Sequence, residues 1–171
     1  MEPIAEDIVE RAEDFFFKLD EHQVIEQMTE FQKRQPWIVF YIATINELEK
    51  SKEGNILFSR FALMIDYCYR SYPIILSVIE KETVSDCLNK ESILSRFVPT
   101  ADGIMVDNDA SYLLINQIHL TAIIKAKDSI YEDDSEQTDT TVFDRIWMAL
   151  ITVLHLYQNE AKKQMSKLNL S

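Results

Sequence analysis

The chain has 171 residues and a formal net charge of −12, from 17 basic and 29 acidic side chains. It is the usual size of one domain and long enough to bury a core without a disulfide or structural metal. With only two glycines, Gly54 and Gly103, it lacks the positive-φ residues of turn-rich β folds. For the same reason neither a P-loop nor a dinucleotide fingerprint can be assembled, and no cofactor is expected. An acidic chain without clustered Lys and Arg is a poor binder of nucleic acid or anionic membrane.

The N-terminal sequence is acidic where a signal peptide would be basic, and no apolar stretch follows it. The longest apolar run, Ile146 to Leu154, is broken by Thr152 and falls short of a bilayer span. Cys68 and Cys87 make no CxxC pair and read as buried thiols. These features together suggest a soluble cytoplasmic protein.

Helical periodicity runs through the chain. Ile4, Ile8, Ala12, Phe15 and Leu19 share one face of a first helix, with a break near Asp20–His22 before a stripe of Val24, Ile25, Met28 and Phe31. Three consecutive rings, Phe15, Phe16 and Phe17, cannot share one face, and Phe17 is expected near the surface. Pro36 opens a third helix to about Lys50, seamed by Trp37, Tyr41, Thr44, Ile45 and Leu48 and apolar on most sides. Residues 51–55, with Gly54, read as a turn.

A fourth helix, about Ile56 to Tyr72, is apolar nearly all round, and Asp66 is its only acid. Asp66 and Arg70 stand four apart in the order that favours a helical ion pair. Pro73 ends or kinks it, and helix is expected again from Ile74 to about Phe97. Val98 to Asp107 reads as an interior loop, followed by a helix from Ala110 to Tyr131. The polar segment Glu132–Asp139 reads as an exposed acidic loop, at about 132–140. Thr141 and Asp144 form an approximate capping box for a last helix, Val142 to about Lys167, which should pair with the 110–131 helix as a hairpin. The expected fold is a single all-α domain over 1–171, a bundle of six or seven helices.

Two side-chain groups invite a functional reading. His119 and His155 lie 17 and 19 residues from Glu136, so the hairpin would set them at nearly the same height. With Asp66 they are candidate metal ligands, although no Glu-x-x-His or His-Glu-x-x-His accompanies them. Tyr67, Tyr69, Arg70 and Tyr72 cluster on the fourth helix and, with Phe17, are candidate partner contacts. The aspartates around Asp107 fail the EF-hand spacing, and no Gly-x-Ser-x-Gly elbow exists.

The leading expectation is therefore a non-enzymatic protein-binding module: a regulator, adaptor or inhibitor with an acidic surface. Residues 100–144 carry ten acids and two lysines, a charge that would steer a basic partner. Two alternatives stay open. One is a helical-bundle metal-binding protein or enzyme centred on His119 and His155. The other is a structural homo-oligomer built on Phe17 and the 67–72 segment.

Overall fold

The structure, a computed structural model, describes residues 3–48, 52–89, 97–100, 103–106, 119 and 140–168. It is an all-α bundle with six helices among those residues: α1 (Glu6–Lys18), α2 (Glu21–Arg34), α3 (Pro36–Leu48), α4 (Lys52–Arg70), α5 (Lys81–Asn89) and α6 (Thr140–Leu168). Apart from His119, the expected helix at 110–131 lies outside the described residues, as does the acidic segment 132–139; Thr140 already belongs to α6.

The break between α1 and α2 is built by side chains. Asp20 caps α2 through a reciprocal capping box with Gln23, each backbone N–H donating to the other's side chain at 2.9 Å. Leu19 is extended, and its carbonyl, at the negative end of α1, accepts from Arg60 Nη2 at 2.6 Å. The buried stripe of α1 is Val9, Ala12 and Phe16. Phe15 is therefore the exposed ring of the triplet, at 50%. Phe17, expected at the surface, instead packs edge-on against Phe61 with the Arg60 guanidinium over its face. Of the expected stripe, Ile4 and Ala12 are buried and Ile8 and Leu19 pack half-buried against the core; only Phe15 departs from it, with Val9 and Phe16 buried instead.

Pro36 occupies the first position of α3, where its missing N–H costs nothing. Ile38, Tyr41 and Ile42 are buried, whereas Phe40 is 61% exposed, so α3 has an open side that its composition does not reveal. The turn expected at 51–55 is in fact the first turn of α4 from Lys52 onward. Gly54 is tolerated so near a helix end, Glu53 complements the dipole there, and Lys52 Nζ pairs with Glu21 at 2.8 Å, joining the first turns of α2 and α4.

Helix α4 is the centre of the bundle. Eleven of its residues between Leu57 and Tyr69 are buried, and it packs against α1, α2 and α6. Helix α6 brings a second apolar stretch, Ala149 to Tyr157 with Ala161, into the same core. No helix among the described residues is long and apolar enough to cross a membrane.

After Pro73 the chain does not resume the helix. Residues 75–80 have no regular secondary structure and α5 starts only at Lys81. The buried amide of Gln35 explains this: its Nε2 donates to the Ser77 carbonyl at 3.0 Å and its Oε1 accepts the Ile79 N–H at 2.8 Å. One side chain thus satisfies two of the backbone groups that a helix would have satisfied internally, the Ser77 carbonyl and the Ile79 N–H. The segment expected as a loop at 98–107 contains an antiparallel hairpin, β1 (Phe97–Thr100) and β2 (Gly103–Val106), registered Phe97 to Val106 and Thr100 to Gly103. The Phe-Val-Pro-Thr and Gly-Ile-Met-Val stretches are too short for alternation to stand out.

Candidate functional site

Asp66 is the one fully buried acid among the described residues, at 2% exposure. Removing a carboxylate from water costs several kcal/mol unless its lone pairs find donors. Three helices supply them. Oδ2 accepts from Arg34 Nη2 at the end of α2 and from Arg70 Nε one turn along α4, both at 2.9 Å. Oδ1 accepts from the Tyr157 hydroxyl of α6 at 2.8 Å. The ion pair expected from the Asp66–Arg70 spacing is therefore present.

A second buried bond lies beside this cluster: the Tyr69 hydroxyl donates to Gln158 Oε1 at 2.6 Å. The Tyr69 and Tyr157 rings are 5.4 Å apart. Burial pushes both phenols well above their ordinary pKa, and the Asp66 charge adds to the effect on Tyr157. Cys68 sits in the same core, its thiol pushed up to about 12 by burial alone. It is neither exposed nor inclined to ionise, so it has none of the character of a nucleophilic cysteine. The Cys87 side chain lies outside the described residues.

The cluster reaches the surface on one side. Arg34 and Arg70 keep 35% and 42% of their side chains exposed. The Arg70 guanidinium stands 5.9 Å from the Tyr67 ring centroid, and Tyr67 is 37% exposed. Tyr67 packs edge-on against buried Phe16 at 6.0 Å, and Phe16 in turn against Phe15 at 5.0 Å. Phe15 and Tyr67 are thus linked through the buried Phe16 ring, Arg70 stands over Tyr67, and Arg34 joins Arg70 through Asp66.

The tyrosine cluster read from the sequence is divided by the fold. Tyr67 and Arg70 are exposed, Tyr72 is half-buried, and Tyr69 is in the core. Asp66 is gathered with arginines and a phenol. His155 is half-buried with its Nε2 at 2.8 Å from Asn159 Nδ2, and half-buried His119 has its Nδ1 3.9 Å from Glu6. Among the described residues no group of three or more His, Cys, Asp and Glu is placed to hold a metal ion. Arg34, Tyr157 and Gln158 were not singled out by sequence; the usable signal was a lone acid in an apolar helix, which calls for a remote cation.

A separate open groove of about 390 Å³ lies between α2, α3 and α4. Val24, Ile25, Met28, Val39 and Ile56 supply its apolar walls, and the Glu21–Lys52 pair borders it. Comparison of the chain with protein-family models, with curated proteins and with solved structures returns no match.

Proposed function

We propose that this chain is a non-enzymatic protein-binding module that engages its partner through the Phe15–Tyr67–Arg70 face. The observation that carries this reading is the pair of exposed aromatic rings set on a buried one, beside an arginine already oriented by an ion pair. Rigid aromatics and arginine are the residue types on which interfaces concentrate binding energy. The buried polar groups support the same reading, since the Asp66 carboxylate is taken up by Arg34, Arg70 and Tyr157 and the Tyr69 hydroxyl by Gln158 Oε1. The net charge of −12 adds long-range attraction for a basic partner.

The test compares the tagged chain with a Phe15→Ser/Tyr67→Ser double variant in co-purification from source cells. A specific protein should be retained by the first and lost by the second, with identical circular dichroism and with binding that weakens as salt rises. Equal retention by both proteins removes the face from the interface. A doubled mass that reverts to monomer in the variant assigns the same face to self-association.

A further inference from the structure

The two guanidiniums at the edge of the buried cluster use little of their bonding capacity. An arginine offers five N–H donors in a planar fork. Among the described residues, Arg34 gives one hydrogen bond and Arg70 one, both to Asp66 Oδ2 at 2.9 Å. The two bonded nitrogens must therefore lie within twice that distance of each other. No second acid pairs with either side chain among the described residues. Two positive charges thus face one negative charge, leaving a local surplus of one on a chain whose net charge is −12.

The arrangement is held in place from below and from the side. Asp66 fixes both forks, and the Tyr67 ring supports that of Arg70. Both side chains remain partly exposed, while Arg34 Nε is buried without a partner. Pre-oriented guanidinium forks match the planar geometry of a carboxylate. A monoanion balances the surplus, whereas a phosphate dianion would overshoot it against the chain's own negative field. The apolar surface beside the forks is Tyr67 and, across Phe16, Phe15.

We infer that Arg34 and Arg70 form a carboxylate-binding site. It takes an acidic residue of the partner, with a neighbouring apolar residue seated on Tyr67 and Phe15. This rests on the reading of that face as an interface and specifies what the partner must present. Long-range attraction to a basic partner is compatible with one carboxylate at the point of contact, since the field and the contact act over different distances.

The probe is a pair of capped tripeptides, leucine-glutamate-leucine and leucine-glutamine-leucine, titrated at constant ionic strength into the ¹⁵N-labelled chain. The Nε–Hε signals of Arg34 and Arg70 report on the forks, and backbone signals of Phe15 and Tyr67 on the apolar side. The glutamate peptide should give saturable shifts at both arginines and bind about tenfold more tightly than the glutamine peptide, as expected for charge-assisted bonds. Arg70→Lys keeps the charge and the partner for Asp66 but loses the fork, and should abolish most of that discrimination. Equal affinity for the two peptides overturns the carboxylate site while leaving the interface reading to the co-purification test. Shifts that match those caused by sodium chloride alone overturn it as well. Tighter saturable binding of inorganic phosphate than of the glutamate peptide overturns the choice of carboxylate.

Discussion

Asp66 connects α2, α4 and α6 through one carboxylate, and its energetics can be tested residue by residue. Asp66→Asn would leave two guanidiniums without their counter-charge and should lower stability by about 3 kcal/mol in urea unfolding. Tyr157→Phe removes one bond but leaves the ion pairs, so its cost should be nearer 1 kcal/mol. Equal losses in the two variants would mean that the charge is no more important than the hydroxyl. The same core sets an alkaline limit. Cys68, Tyr69 and Tyr157 all have folded pKa values raised by burial, so the unfolded chain releases these protons first. Their contribution is fully present below the ordinary thiol and phenol pKa values and is lost as pH climbs past them towards the folded ones. Stability should therefore fall from about pH 9 upward, by about 1.4 kcal/mol per pH unit for each group released. Tyr157→Phe should flatten that slope, which urea titrations over this pH range measure. A thiol reagent should leave Cys68 untouched in the native protein and label it on unfolding.

At the level of elements, small polar devices decide where helices stop. The Asp20–Gln23 box restarts the chain after α1, and Asp20→Ala should cost about 1 kcal/mol. Gln35 holds the segment after Pro73 by both of its backbone contacts. Gln35→Ala should free the Ile79 amide to exchange with deuterium well before the rest of the core does, a loss that hydrogen exchange resolves at that one residue. Undiminished protection of Ile79 would show that apolar burial alone keeps the segment in place. Along α1 the phenylalanines should separate cleanly. Phe16→Ala is expected to cost about 3 to 4 kcal/mol, because its ring is core. Phe15→Ala should stay within about 0.5 kcal/mol, because half of its ring is already in water.

For the molecule as a whole, one helix carries most of the organisation. Helix α4 supplies the centre of the core, the buried acid and the exposed Tyr67 and Arg70, so the fold and the proposed interface share a scaffold. A site carried on a packed helix is held more rigidly than one on a loop. Affinity for a basic partner should therefore drop with salt mainly through slower association, while dissociation should respond to changes at Phe15 and Tyr67. Surface plasmon resonance at two salt concentrations separates the two. Salt-independent association would remove the role given to the acidic field.

The all-α class was legible in the residues because glycine scarcity and 3.6-residue periodicity are local properties of the chain. The break before α2, the start of α3 at Pro36, the Asp66–Arg70 pair and the apolar character of α4 were legible for the same reason. Other features depended on partners distant in sequence. Arg34 and Tyr157 reach Asp66 across separations of 32 and 91 residues, and nothing in local spacing pairs them. Periodicity offered Phe15, Phe16 and Phe17 as near-equals; the packing of α4 against α1 buried one, half-covered another and left Phe15 in solvent. The segment after Pro73 is anchored by a glutamine amide 42 and 44 residues away and by Gln164, 87 residues away, on the Ser77 hydroxyl. The sequence by itself determined that the chain would be built of helices and that the apolar fourth helix had to be buried. Only the tertiary structure decided which side of each helix was buried and which polar groups met, because those outcomes depend on contacts between helices that are remote along the chain.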